Sequence, residues 1–351
     1  MTNDKKDIRS MTLAELTDTL TDMGKKKFRG KQIFSWLHSR HAASFDEMTD
    51  LSRELRKKLE ETFQLITLIP VTVLVSEIDG TRKYLFRLPD GNVIESVLMK
   101  YKHGSSVCVS SQAGCRMGCR FCASTLDGLA RNLAPSEILE QIYGIIRDTG
   151  EKVSNVVIMG SGEPLDNYDN VIRFIRLLTD ENGCHLSQRN ITLSTCGIVP
   201  GIRRLAEEDL PITLALSLHA SDDESRRELM PIARKYSIRE VISACDDYFA
   251  RTGRRISYEY SLVKDVNDSE EHARRLAALL RGRNCHVNLI PVNPIKERNF
   301  RSISRTEAQN FKLTLEKYGI NVTIRREMGR DIQGACGQLR RKFQSEETVY
   351  Q

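Results

Sequence analysis

Three cysteines stand within eight residues, in the segment Gly114-Cys115-Arg116-Met117-Gly118-Cys119-Arg120-Phe121-Cys122, with the spacing C-x3-C-x2-C. Three thiolates on one tight loop can hold three irons of a cubane cluster, whereas electron-transfer clusters use four and close every iron. An open metal position is where a substrate binds. The open iron can chelate the amino and carboxylate groups of S-adenosylmethionine, and one electron then breaks the sulfonium C–S bond to give a 5′-deoxyadenosyl radical. Zinc would want a fourth ligand nearby. His103 and Cys108 are candidates, but neither has the usual paired spacing. The pattern therefore favours one 4Fe–4S cluster on Cys115, Cys119 and Cys122 over a zinc site or three core cysteines.

Three further residues invite chemistry. Cys108 lies seven residues before the triad and, by strand alternation, shares a face with Ser106 and Ser110. Cys336 sits among small residues in Gln333-Gly334-Ala335-Cys336-Gly337-Gln338-Leu339, which suits an accessible, nucleophilic loop thiol in a basic neighbourhood. Spacing alone favours two ordinary reduced cysteines. Glu95 interrupts the apolar run Val93-Ile94-Glu95-Ser96-Val97-Leu98. It either faces solvent or faces a cavity, where desolvation suits a carboxylate to proton transfer. The nine cysteines form no even ladder of disulfides, which in a reducing compartment points to metal or redox chemistry.

The elements that must position these residues are legible as alternation. Residues 1–64 read as a small helical module, with helices from Thr12 to Met23, Gly30 to His38 and Phe45 to Phe63. Residues 65–104 read as a β-rich connector: Val71 to Ile78 and Arg82 to Leu88 flank the turn Asp79-Gly80-Thr81, and Val93 to Met99 follows. Residues 105–351 alternate strand and helix, implying a parallel sheet. About six units suggest an open, partial (β/α)6 barrel of the α/β class. Polar residues cluster just after its strands: Ser161, Gly162, Glu163 and Pro164; Ser194; Ser217, Leu218 and His219; Asn293. Each has an ordinary structural reading, as a turn, a cap or a buried histidine. Together they fall on the rim where such barrels build their sites, and Ser194, Ser217 and Asn293 can bond the ribose and carboxylate of the cofactor while Gly162 and Glu163 meet its amine.

The formal net charge of the 351 residues is +6. Lys25, Lys26, Lys27, Arg29 and Lys31 surround Phe28, with Phe34 and Trp36 just after. Arg325, Arg326, Arg330, Arg340, Arg341 and Lys342 outnumber Glu327 and Asp331 near the other end. Two basic patches suit a phosphate-rich partner, or a solvated charged face. No apolar run approaches a membrane span. The polar first residues do not read as a signal peptide, so a cytoplasmic location is expected.

The segments AGCRMGCRFC, GSGEPLDNYDNV, ITLSTCGIVPGI, LALSLHASDDESRRELMPI, HVNLIPVNP and ACGQL resemble those of the RlmN-type dual-specificity RNA methyltransferases, and the likeness covers nearly the whole chain. The resemblance implies that Cys115, Cys119 and Cys122 hold the cluster, and that Gly162, Glu163, Ser194, Ser217 to His219 and Asn293 contact S-adenosylmethionine. It implies that Cys336 is methylated by one S-adenosylmethionine, that a radical made from a second takes a hydrogen from that methyl, and that the methylene radical adds to adenine C2. Glu95 matches the family's proton acceptor. Cys108 then attacks Cys336, and a transient disulfide frees the methylated RNA. The implied targets are one adenosine of 23S rRNA and adenosine 37 of tRNAs, with a flavodoxin or ferredoxin as electron donor and a monomer as the working unit. Two alternatives stay open: a Cfr-type enzyme that methylates adenine C8, in which alanine stands where Pro164 stands here, and a non-catalytic iron–sulfur RNA-binding sensor. One departure from the family is visible, Ser161 in place of methionine.

Overall fold

Local capping sets the first helices. Thr12 accepts the N–H of Glu15 at 3.2 Å while the Glu15 carboxylate accepts the N–H of Thr12 at 2.8 Å, so α1 (Leu13–Asp22) starts on a reciprocal cap. The helix α2 (Phe28–His38) begins two residues earlier than expected. The expected helix from Phe45 to Phe63 forms only as α3 (Arg53–Thr62). Ser52 is the reason, because its hydroxyl caps Leu55 and pins an extended residue there. Phe45, Met48 and Leu51 reach the core from turns instead. A short parallel pair, β1 (Lys6–Asp7) and β2 (Phe63–Gln64), ties the two ends of this module.

In a computed structural model of the chain, which describes residues 5–102, 104–293, 299–332, 339 and 343, one sheet of ten strands organises the rest. Three antiparallel strands, β3 (Ile69–Val75), β4 (Arg82–Arg87) and β5 (Val93–Tyr101), lead to β6 (Gly104–Cys108). The connector strands thus extend the main sheet. A hairpin outside it, β7 (Gln112–Gly114) with β8 (Leu129–Asn132), was not anticipated. Then β9 (Val153–Ile158), β10 (Ile191–Thr195), β11 (Thr213–Ser217), β12 (Ile256–Leu262), β13 (Cys285–Pro291) and β14 (Val322–Ile324) add in chain order, all parallel to β6. The sheet ends at β3 and β14 and does not close on itself. The connecting helices are α4 (Pro135–Thr149), α5 (Tyr168–Thr179), α6 (Val199–Leu205), α7 (Asp223–Leu229), α8 (Ile238–Thr252), α9 (Glu270–Leu280) and α10 (Arg305–Lys317). Among the described residues no helix is long and apolar enough to cross a membrane.

Alternation sorts the two faces of the sheet. Val107, Val156, Leu193, Leu214, Tyr258, Tyr260, Val287 and Leu289 join the main core. The opposite face is polar: Ser217 pairs with Glu259, Glu259 with Asn288 and Asn288 with Thr323 across four neighbouring strands. The helical module is fastened to α4 by Arg9, which is fully buried. Its guanidinium donates to the carbonyls of Ile66, at 2.7 Å, and Ala42, and it ion-pairs with the equally buried Glu140. The N-terminal basic segment is split by the fold. Phe34 is core, whereas Lys26, Lys27, Phe28 and Lys31 are exposed. Arg340, Arg341 and Lys342 lie outside the described residues, as do His103 and Cys336.

Candidate active site

The cysteine loop grows from the β7–β8 hairpin. Cys115 donates its N–H to Gly128 at 2.9 Å, just above the paired stem. Gly114, Gly118 and Gly128 all hold positive φ, which lets the loop turn back sharply enough to gather its thiols. Thr125 closes the inner turn by donating to the carbonyls of Cys119 (3.1 Å) and Cys122 (2.9 Å). All three thiols line one cavity at the C-terminal ends of the parallel strands. Burial pushes the Cys115 thiol up to about 12, and the neighbouring Cys122 adds to it. Cys119 is pushed up as well, first by burial and then by Cys122 and Cys115. Buried Cys115 and Cys119, with half-buried Cys122 beside them, are poor thiolates alone and good ones around iron, so the donor set fits a cubane cluster.

Facing the cysteines is the segment after β9. Gly162 has φ +108°, and a Cβ there would lie 2.6 Å from the Gln112 Cβ and 2.8 Å from its backbone nitrogen. Only glycine permits this approach of the loop to the hairpin stem. Gln112 then accepts the N–H of Glu163 at 2.8 Å. The buried Glu163 carboxylate accepts the N–H of Cys196 (2.8 Å) and of Leu165 (3.1 Å), and burial raises its affinity for a proton. Ser161 points away from the cavity, to Ser124 at 3.0 Å, so the replacement of methionine bears on packing under the cysteine loop.

Ser194 and Ser217 stand 3.4 Å apart on neighbouring strands and line the same cavity. His219 holds φ +57° and lines it too. Its Nδ1 accepts the N–H of Ser261 at 2.9 Å, and burial with the nearby Arg226 pushes its pKa down to about 3. The imidazole is therefore neutral with its proton on Nε2, a fixed donor. Leu218 is fully buried in the core, so only its backbone is available. Asn293 is exposed, two residues beyond β13, and is not among the cavity residues.

Glu95 and Cys108 lie beside this cavity on the polar face of the sheet. Glu95 does not face solvent; it is fully buried and ion-pairs with the fully buried Lys83 at 3.2 Å. Cys108 is buried, and its register partner is Val97, two residues from Glu95. Cys108 packs in one cluster with Val97, Met99, Val157, Met159 and Met328. No disulfide occurs among the described residues.

Several site residues escaped the sequence reading. Cys196 is a further buried thiol next to the triad, hydrogen-bonded to Glu163. Glu259 lines the cavity, its oxygens accepting from Ser257 and Asn288 at 2.8 Å each, and burial raises its pKa. Arg325 lines it as well, so part of the C-terminal basic patch faces inward. The buried Arg226 donates to the carbonyls of Cys196 (2.8 Å) and Leu218 (3.2 Å) and locks two strand-end loops together. The available signal was parity: Ser257, Glu259 and Ser261 alternate with tyrosines, as do Lys83 and Arg87 with aromatic residues.

Comparisons with known proteins agree with this geometry. Residues 109–277 match the radical SAM superfamily, and residues 6–65 match the ribosomal RNA large subunit methyltransferase N-terminal domain. The chain is 62% identical over 337 residues to a probable dual-specificity RNA methyltransferase RlmN of Lachnospira eligens, covering 96% of each chain. It is 59% identical to one of Lachnoclostridium phytofermentans, covering 97% of this chain and 96% of the relative. A crystal structure of a radical SAM methyltransferase from Sphaerobacter thermophilus superposes with a TM-score of 0.91 at 43% identity, covering 95% of this chain and 98% of that one.

Proposed function

Because the chain belongs to the RlmN family of radical S-adenosylmethionine methyltransferases, we propose that it methylates C2 of one adenosine in 23S rRNA and of adenosine 37 in tRNAs, through a methylated Cys336 and two S-adenosylmethionine molecules per turnover. Cys115, Cys119 and Cys122 would hold a 4Fe–4S cluster, which when bound supplies the electron that releases a 5′-deoxyadenosyl radical from S-adenosylmethionine. Gly162, Glu163, Ser194, Ser217 and His219 line the place for that cofactor, with the Leu218 backbone beside them and Asn293 at the rim. Cys336 carries the transferred carbon to the base. Glu95 takes the C2 proton, and Cys108 attacks the Cys336 sulfur to release the RNA with a transient disulfide. A flavodoxin or ferredoxin is the expected reductant, and a monomer suffices.

The observation that carries this reading is the neighbourhood of Glu95 and Cys108. A buried carboxylate and a buried thiol, thirteen residues apart in sequence, meet on one face through the β5–β6 register, next to the cavity of the three cysteines. A cluster-bearing RNA sensor has no use for either. Exposed Lys26, Lys27, Phe28 and Lys31 offer cations and one aromatic face to single-stranded RNA. The relatives' names favour neither the sensor nor the adenine-C8 alternative.

The test is anaerobic reconstitution with iron and sulfide, followed by reaction with S-adenosylmethionine, a one-electron reductant and an rRNA fragment. Mass spectrometry should place the methyl group at adenine C2, and a C8 product would refute the assignment. Cys336→Ala should keep its iron and yield no methylated RNA. Methylation that survived this change would remove the cysteine relay.

A further inference from the structure

Three cations are fully buried among the described residues, Arg9, Lys83 and Arg226. Two of them have a buried carboxylate beside them: Arg9 pairs with Glu140, and Lys83 with Glu95 at 3.2 Å. Arg226, in α7, differs. Its partners among the described residues are backbone carbonyls: Leu218 on Nε at 3.2 Å, Tyr236 on Nη1 at 3.4 Å, and Cys196 and Ser217 on Nη2 at 2.8 and 3.5 Å. These bonds occupy the N–H groups and leave the charge without a counter-ion. A buried charge is rarely kept unless an opposite charge offsets its lost hydration. The cysteine loop is where that opposite charge belongs. Cys196, whose carbonyl takes the shortest of the four bonds, shares one small apolar cluster with Cys119, Leu229 and Met230. Leu229, one turn beyond Arg226, accepts the N–H of Arg120 at 2.9 Å and so ties α7 to the loop between Cys119 and Cys122. Burial opposes the charge of the guanidinium, and the groups that favour it are Cys196 and Cys119 first and Asp223 after them. The Asp223 carboxylate is itself engaged, accepting the N–H of Ile238 at 2.7 Å.

We propose that Arg226 is the built-in counter-ion of the iron–sulfur cluster and raises its reduction potential. This rests on the reading that Cys115, Cys119 and Cys122 hold that cluster. A cubane on three thiolates is already an anion, and an added electron makes it a stronger one. A fixed cation nearby favours the reduced state, and net charge is one of the levers on a cluster's potential. Two unit charges about 10 Å apart, at an effective dielectric constant of about 20, shift an equilibrium about 15-fold. For a one-electron couple that is about 70 mV. The same guanidinium fastens the turns after β10 and β11 to each other through Cys196 and Leu218, so the test must separate charge from positioning.

The experiment is a redox titration of the cluster-loaded chain under argon, without S-adenosylmethionine. Dithionite gives up the electron, low-potential mediators carry it to the cluster, and the electron paramagnetic resonance of the reduced cluster reports the midpoint. Arg226→Gln removes the charge and should make reduction about 15-fold less favourable, a midpoint about 70 mV lower. Arg226→citrulline, introduced by nonsense suppression, removes the charge at nearly constant shape and should do the same. Arg226→Lys keeps the charge and loses the planar fork, and its midpoint should stay within about threefold, or about 30 mV, of the unaltered chain. Unchanged midpoints in both neutral variants, or a lysine variant lowered as far as they are, would overturn the proposal. If Arg226→Gln takes up no iron, the citrulline variant decides. Neutral variants that take up no iron beside a lysine variant that does would also assign the charge to the cluster, whereas loss of iron in all three would leave Arg226 a purely structural role. If the unaltered chain binds no cluster, the reading beneath the proposal falls first.

Discussion

Replacing Lys83 by methionine isolates the energetics of the buried ion pair. Lys83 and Glu95 are both fully buried, 3.2 Å apart and diagonal across an antiparallel strand pair. At that distance and an effective dielectric constant of about 20, the attraction is about 5 kcal/mol. The net benefit over two apolar side chains is far smaller, since both ions were stripped of water. Removing one partner is different, because Glu95 is left as a buried charge. Lys83→Met should therefore cost about 3–5 kcal/mol. At about 2 °C per kcal/mol for a chain of this length, its melting temperature should fall by about 6–10 °C. Glu95→Gln alone should also destabilise. The double variant, Lys83→Met with Glu95→Gln, should recover at least about 2 kcal/mol relative to the sum of the singles, since the second substitution removes the charge that the first deprived of this contact. The assay is thermal unfolding of the cluster-loaded chain under argon, run as a double-mutant cycle. Additive singles, or a Lys83→Met shift below about 2 °C, would refute the claim that the pair is a coupled buried unit.

Two other predictions come from the described geometry. Gly162→Ala places a methyl group 2.6 Å from the Gln112 Cβ at a backbone angle suited to glycine, and should cost about 2–4 kcal/mol locally. Its iron content and S-adenosylmethionine affinity should both drop, and full values for both would show that the loop tolerates displacement. His38 is fully buried beside the Tyr143 hydroxyl, and burial, with Arg9 and His41, pushes its pKa down to about 3. The unfolded imidazole takes a proton near pH 6.5 while the folded one does not. The stabilisation is therefore complete above that pH and is lost as pH falls toward 3, by about 1.4 kcal/mol per pH unit. Urea midpoints should fall between pH 7 and 5, and His38→Gln should remove up to about 1.4 kcal/mol per pH unit of that slope while the shares of His41 and His219 remain. An unchanged slope would assign the acid sensitivity to other groups.

Much of this protein was settled by local sequence. The C-x3-C-x2-C spacing gathers three thiols on one short loop whatever surrounds it. Apolar periodicity places helices over Pro135–Asp148, Tyr168–Thr179, Ile238–Arg251 and Ser269–Arg281, and α4, α5, α8 and α9 run within a residue of these bounds, because caps such as Ser237 and Ser269 and the 3.6-residue period act over a few residues. The helix over Phe45 to Phe63 was overdrawn where a single capping serine outweighed the apolar pattern. Tertiary structure alone decided the rest, because strand register and chain return are long-range choices that no window of sequence contains. Register put Glu95 against Lys83 and beside Cys108, and turned a residue that could have faced water into a buried ion. Packing sent Phe34 to the core, turned Arg325 into the cavity and Ser161 away from it. The return of the chain across the sheet joined Asp79 and Asp331 to partners some 250 residues away. The cysteine triad is a local property of the chain, and what it faces is a property of the fold.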